Sequence, residues 1–240
     1  MIVDLIVSDF LDANCYVVAP ARGGQALVID PGAGTAAEIS RRLAAYDLSI
    51  GAVLLTHGHP DHVWDAAAVA GQAPVYVPEP DLYRLDDPAS AANMGEVFAA
   101  ALSQLPMPWR TPENLRAVPA QAASQPVELV DDLAVRMLPA PGHSEGSAVF
   151  FVAGPITEGS AVACGEDAAL ICFDGDVIFA GAIGRTDLPG GDSRQMMHSL
   201  RTLLNVVDPE TVLLPGHGPA TTMGREAQTN PYLNQARHVG

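Results

Sequence analysis

Four side chains able to bind a divalent metal fall within six residues, His57-Gly58-His59-Pro60-Asp61-His62, immediately after the apolar run Ala52 to Leu55 and Thr56. The run reads as a short buried strand, and Gly58 and Pro60 shape the loop that follows it. Imidazole and carboxylate suit zinc, and also iron or manganese. A single histidine in such a loop is usually a surface or hydrogen-bonding group. Three of them with an aspartate, carried inward by a buried strand, would cost roughly 2–7 kcal/mol for each group left unpaired. The chain must therefore fold so that distant loops converge on these residues and, with them, hold cations.

The rest of the chain supplies the scaffold. Ile2 to Val7, Cys15 to Ala19 and Ala26 to Ile29 read as successive strands, with a hairpin turn at Ala21-Arg22-Gly23-Gly24 and a sharp stop at Asp30-Pro31-Gly32. Thr35 to Tyr46 has helical spacing, with Ile39, Leu43 and Tyr46 on one face. Residues 61–70 are Ala-rich and read as helix, and Val75 to Val77 as strand. Strand rhythm returns at Val127 to Val130, Ala134 to Leu138, Ser147 to Val152, Ala169 to Phe173 and Val177 to Ala180. A Gly/Ser-rich loop spans Gly154 to Asp167, a helix covers Asp192 to Val207, and Thr211 to Leu214 forms a last strand. Many strands with helices at intervals predict two sheets flanked by helices. No repeat or linker divides the chain, so 1–240 reads as one domain.

Residues 78–126 break the rhythm, with Pro and Ala dominating. Met94, Val97, Phe98, Leu102 and Leu105 fit one helix face, which Leu105-Pro106-Met107-Pro108-Trp109 must end. The segment reads as an insertion over the rim of the main fold, either a lid or a cover for the core.

Composition narrows the partners. Hydrophobic residues make up 48% of the chain, enough for a substantial core, but aromatics only 5%, so that core is aliphatic. The net charge is −16, all 12 basic residues are Arg, and Lys is absent. Such an acidic surface repels phosphate backbones and anionic membranes, which argues against both as partners. Cys15, Cys164 and Cys172 have no paired spacing and read as reduced thiols of a cytoplasmic protein. The first ten residues carry Asp4 and Asp9 and read as strand, not signal peptide.

The heptad Thr56 to His62 resembles the His-x-His-x-Asp-His signature of the metallo-β-lactamase superfamily, and further motifs appear in order. Pro141-Gly142-His143-Ser144-Glu145-Gly146-Ser147 is similar to the third-histidine motif. Phe173-Asp174-Gly175-Asp176-Val177-Ile178-Phe179 resembles the segment bearing a bridging aspartate, and Leu213-Leu214-Pro215-Gly216-His217-Gly218-Pro219 the terminal histidine motif. The resemblance implies an α/β fold, an αββα four-layer sandwich of two mixed β-sheets flanked by helices. It also implies two divalent metal ions, zinc foremost and iron or manganese otherwise. His57, His59 and His143 would hold the first ion and Asp61, His62 and His217 the second, with Asp176 bridging. Asp174, two residues away, competes for the bridging role. Asp30 is a candidate partner for a ligand histidine or a simple turn residue. His198 and His238 read as solvated.

Two ions about 3.5–4 Å apart lower the pKa of a shared water to near neutrality, and the resulting hydroxide is the expected nucleophile, with Asp61 and Asp176 as the catalytic ligands. Gly181 to Asp192 and Thr229-Asn230-Pro231-Tyr232-Leu233 resemble the compact bacterial glyoxalase II branch, the hydroxyacylglutathione hydrolases. That resemblance implies a small-molecule thioester substrate, with Arg185 as a candidate for orienting a carboxylate or, with more weight, for a structural role. The chain departs from longer glyoxalase II enzymes in lacking their C-terminal helical domain, so the thiol carrier is open between glutathione and another low-molecular-weight thiol. The rival readings are a mononuclear iron persulfide dioxygenase on the same fold and, from another class, a non-catalytic metal-binding or regulatory protein. β-Lactamases of this fold usually depart from the Asp-bridged pattern kept here, while lactone and phosphodiester cleavage share the same metal centre.

Overall fold

A computed structural model describes residues 1–105, 107–165 and 167–238, with Ala168 described by its backbone alone. Pro106, expected to end a helix, and Glu166 of the Gly154 to Asp167 loop lie outside the described residues.

Alternating side chains decide which face each strand buries. In β2 (Asn14–Ala19) Tyr16 and Val18 turn to one side, and Cys15 and Val17 to the other. All of β2 is buried, so apolar residues are needed on both faces. With β1 (Ile2–Val7), β3 (Gln25–Ile29), β4 (Ser49–Leu54), β5 (Val75–Val77) and β6 (Leu115–Ala117) it forms a six-stranded sheet in chain order. The first three strands pair antiparallel and β3 to β6 pair parallel.

A second six-stranded sheet contains β7 (Val127–Val130), β8 (Leu133–Pro139), β9 (Ala148–Pro155), β10 (Ala168–Gly175), β13 (Val212–Pro215) and β14 (Thr221–Thr222), in the order β14-β13-β10-β9-β8-β7. It is also mixed, because β10 and β13 run parallel. The inner faces meet through Leu27, Ile29 and Leu54 from the first sheet and Val135, Phe150 and Phe173 from the second. Truncating either buried phenylalanine to alanine costs about 3–5 kcal/mol.

Helices cover both outer faces. Ile39 and Leu43 of α1 (Ala36–Tyr46), Val63 of α2 (Pro60–Val63) and Ala66 of α3 (Ala66–Ala70) pack on Val17, Val28 and Val53. Met196, Leu200 and Leu203 of α6 (Ser193–Val206), Met223 of α7 (Met223–Thr229) and Leu233 of α8 (Pro231–Ala236) cover Val149, Cys172 and Leu213. The two mixed sheets with flanking helices are the arrangement expected from the sequence.

Three elements differ from expectation. The helix over 61–70 is broken at Trp64-Asp65, because the Asp65 amide donates to the Pro31 carbonyl at 3.0 Å and its carboxylate accepts from the Ala36 amide at 3.0 Å, at the start of α1. The strand over 177–180 shrinks to β11 (Ile178–Phe179), which turns back on β12 (Ala182–Ile183). Segment 78–126 is woven into the fold. Glu79–Leu85 forms a 3₁₀ turn, α4 (Pro88–Ala92) and α5 (Glu96–Ser103) follow, and β6 completes the first sheet. The expected face of α5 is partial: Leu102 is buried near Trp64, but Val97 is 87% exposed. Among the described residues, no helix is long and apolar enough to cross a membrane.

Candidate metal centre

Every predicted ligand lies just beyond the end of a strand, in the loop before one, or at the start of the helix that follows. β4 delivers His57 and His59, and Asp61 and His62 occupy the first turn of α2, which opens with Pro60. Pro is favoured there because its missing N–H is not needed in the first turn. β9 is preceded by the loop bearing His143, β10 is followed by Asp176, and β13 by His217. Gly175 makes the last turn of β10 possible: its φ is +49°, and a Cβ there would collide with Thr56 Oγ1.

The structure brings all seven side chains together. His57, His59 and His143 offer one cluster of ligand atoms, and Asp61, His62 and His217 a second. His59 Nδ1 lies 2.8 Å from His143 Nε2. In the second cluster His62 Nε2 lies 3.2 Å from His217 Nε2, and His217 Nε2 lies 3.2 Å from Asp61 Oδ2. Asp176 faces both groups: its Oδ2 is 3.4 Å from His143 Nε2 and 3.6 Å from His217 Nε2, and its Oδ1 is 3.3 Å from His62 Nε2. Ligand atoms about 2.0–2.1 Å from a four-coordinate zinc ion stand roughly 3.3 Å apart, so these separations suit a shared cation.

Hydrogen bonds behind three of the rings fix their tautomers. Thr56 Oγ1 donates to Asp30 Oδ2 at 2.6 Å and so accepts from His57 Nδ1 at 3.0 Å, which leaves Nε2 with its lone pair. His57 Nε2 and Asp176 Oδ1 are buried without a hydrogen-bond partner, as ligand atoms aimed at a cation would be. His62 donates from Nδ1 to Asp30 Oδ2 at 3.1 Å, and His143 from Nδ1 to the Arg185 carbonyl at 2.7 Å. Asp30 thus serves two of the predicted ligand histidines, one directly and one through Thr56. It does so from a left-handed backbone, φ +49°, a conformation that costs a non-glycine residue about 1–3 kcal/mol.

Charge follows the same geometry. Burial, reinforced by neighbouring imidazoles, holds His57 well below the usual histidine range and His59 down to about 3. Burial works against charge at His62 too, but the Asp176 and Asp61 carboxylates outweigh it and raise that group well above the usual range. The Asp176 carboxyl is held well below its usual value, against burial, by His62 and His143. The carboxylates therefore call for positive charge at the second cluster, which His62 supplies as a proton or a metal ion would supply instead. Asp174 pairs with no histidine, and burial pushes its carboxyl well above the usual range.

The centre opens into a cleft of about 430 Å³ walled by Leu11, Met94, Phe179, Ile183 and Leu188. Arg185 stands at its edge, but its guanidinium is clamped to Asp187 at 2.7 Å. Its carbonyl is the group that meets a ligand. His198 and His238 are exposed.

Several supporting residues escaped the sequence reading. Asn14 donates to the carbonyls of Pro215 and Gly218 at 2.9 Å and Tyr16 to that of Pro215 at 2.7 Å, which anchors the His217 loop. Glu226, buried, accepts from the Gly181 amide at 2.8 Å and from Asn230, and Asn230 also donates to the Ala182 carbonyl at 2.9 Å. The Thr229 to Leu233 motif thereby sets the β11–β12 turn that carries Phe179 and Ile183 into the cleft. The helix-start signals Asn230-Pro231 could have revealed α8 in advance.

Comparison with known proteins agrees with this geometry. The family profile described as the metallo-beta-lactamase superfamily matches residues 8–156. An uncharacterized protein of Mycobacterium tuberculosis (strain ATCC 25618 / H37Rv) is 36% identical, over 97% of this chain and 98% of its own. The hydroxyacylglutathione hydrolase GloC of Haemophilus influenzae is 30% identical, over 98% of this chain and 99% of its own. Among solved structures, the BLEG-1 B3 metallo-beta-lactamase superposes with a TM-score of 0.73 at 28% identity, covering 97% of this chain and 99% of that one. TTHA1623 in a di-iron-bound form gives 0.70 at 30% identity, covering 95% and 98%.

Proposed function

The chain belongs to the metallo-beta-lactamase superfamily, and on that premise we propose that it is a binuclear metallohydrolase that cleaves a small hydroxyacyl thioester, releasing a hydroxy acid and a free thiol. The observation that carries the reading is Asp176 facing both ligand clusters at once, which is what a two-ion centre requires. Relatedness to GloC along nearly the whole of both chains supports the substrate class. When bound, two divalent ions would supply an activated water and Lewis acidity at neutral pH. Zinc suits this donor set, and iron and manganese are alternatives, the di-iron form of TTHA1623 being one precedent in a relative.

The chain's own residues do the rest. Asp30, Thr56 and the Arg185 carbonyl keep Nε2 of His57, His62 and His143 deprotonated and aimed inward. Asp61 lies 3.2 Å from His217 Nε2 at the floor of the cleft, where it can accept a hydrogen bond from the attacking water. Leu11, Met94, Phe179, Ile183 and Leu188 offer apolar contact to the acyl group and the thiol arm. Arg185, the arginine among the residues walling the cleft, is paired to Asp187, which favours a low-molecular-weight thiol other than glutathione with its two carboxylates. Buried Cys15 and Cys172, neither in a disulfide, suit a reducing cytoplasm.

Metal content should be measured beside thiol release from a panel of hydroxyacyl thioesters. The proposal expects about two ions per chain, hydrolysis lost to a chelator, and recovery on adding zinc, iron or manganese. One iron per chain with oxygen uptake on a persulfide would replace the proposal with a dioxygenase, and a fully loaded protein inert toward every thioester would overturn it.

A further inference from the structure

A fully buried ion pair, Asp81 with Arg84, lies outside the ligand set, on the 3₁₀ turn Glu79–Leu85 that opens segment 78–126. Its contacts all lead to loops that build the centre. Asp81 Oδ2 accepts from the Gly58 amide at 2.8 Å, between ligands His57 and His59, and from Ser144 Oγ at 2.7 Å, next to His143. Its Oδ1 accepts from the Gly146 amide at 2.7 Å and from Arg84 Nε at 3.2 Å. Arg84 Nη2 continues the chain to Glu145 and to the Pro189 carbonyl at 2.7 Å. One carboxylate thus joins the loop after β4, in the first sheet, to the loop before β9, in the second.

Three glycines clear space for this pair. A Cβ at Gly58 would lie 2.7 Å from Arg84 Cβ, one at Gly146 2.6 Å from Asp81 Cγ, and one at Gly190 would collide with Arg84 Nη2. The loops are shaped around the pair as closely as around the ligands. Asp30, by contrast, bonds Thr56, which holds His57, and also His62, one histidine in each cluster.

The geometry points to Asp81 as a positioning residue specific to the first cluster: it sets the spacing of His57 and His59 against His143, and Arg84 extends that control to Pro189, the neighbour of Leu188 in the cleft wall. The inference rests on the metal centre and is independent of the thioester assignment, because its readout is metal affinity.

The test is a competitive chelator titration with zinc on the full chain, resolving the tighter and weaker ions, together with urea unfolding of the metal-free protein. Asp81→Asn replaces one acceptor oxygen by an NH₂ group facing donors. The expected result is a loss of about 10–100-fold at the first cluster, the range for residues that orient ligands, with the second cluster changed by less than about threefold. Arg42→Met, which breaks the Asp4–Arg42 pair at 2.9 Å far from the ligands, is the control and should lower stability with both affinities intact. Equal weakening of both ions by D81N, or unchanged first-cluster affinity, overturns the inference. Should D81N fail to fold, Ser144→Ala decides beside Ser147→Ala: the first removes the bonds to Asp81 and Ser147, the second only those to Ser147, so several-fold weakening of the first cluster in S144A beyond that in S147A supports the role, and equal affinity in the two overturns it.

Discussion

Thr56→Val is the sharpest probe of how the first cluster is built. Valine matches threonine in shape, so the buried site next to Gly175 is not repacked. What disappears is one hydroxyl with two duties, the 2.6 Å bond donated to Asp30 and the 3.0 Å bond accepted from His57 Nδ1. Loss of a hydrogen bond to a charged acceptor costs about 1.5–3 kcal/mol, and a buried donor left without a partner about 1–3 kcal/mol. Asp30 keeps the Thr56 amide at 2.7 Å and His62 at 3.1 Å, so relaxation should hold the total to roughly 2–4 kcal/mol. The affinity effect is more specific. Without an acceptor at Nδ1, His57 is free to take the tautomer that places its proton on Nε2, and the first ion should bind about 10–100-fold more weakly. The second ion, held by Asp61, His62 and His217, should change little. Urea unfolding of the metal-free protein measures the first quantity, and chelator competition measures the second. Thr56→Ser, which retains the hydroxyl, should behave nearly as wild type. Valine and serine variants with the same first-site affinity would refute the claim that Thr56 fixes the His57 tautomer.

Three other outcomes follow from the same geometry. Asp176→Ala should weaken both ions together, seen as loss of both from dialysed protein, and retention of two full ions would refute its bridging role. Gly216→Ala should damage the centre and spare the core, since its Cβ would collide with Asp176 Oδ1 and meet His62 Cε1 at 2.7 Å. The overpacking costs about 1–3 kcal/mol, and metal content should fall while circular dichroism stays native-like. Thiol titration of the folded protein should count one reactive cysteine, exposed Cys164, because burial pushes the Cys15 and Cys172 thiols well above the usual range, and all three should react after unfolding.

What could be read in advance tracks how local the signal is. His57 to His62 announce themselves because four ligands share one loop, and β1 to β3 because apolar alternation is continuous through them. His143 and His217 are each the one histidine of their stretch and Asp176 has Asp174 beside it, so only their motifs, taken in order, linked them. Asp81 offered no such cue. It reads as one more acid in the turn-like stretch Pro78-Glu79-Pro80-Asp81, and its partners Gly58, Ser144 and Gly146 lie 23 to 65 positions away. β6 was missed for a related reason: Leu115-Arg116-Ala117 is too short and too polar to show alternation, and its pairing with β5 makes it a strand. The break at Trp64-Asp65 was hidden because the groups that cause it, Pro31 and Ala36, come from another part of the chain.

The predicted ligands are divided between the halves of the sandwich. His57, His59, Asp61 and His62 follow the first sheet, while His143, Asp176 and His217 belong to loops of the second. A pair of ions held there would act as a rivet through the seam, adding cohesion as well as chemistry. A ligand that binds the folded chain alone, at a hundred times its dissociation constant, adds about 2.7 kcal/mol of stability. Removal of the ions would take that tie away at the end of the sandwich where loops of the two sheets meet.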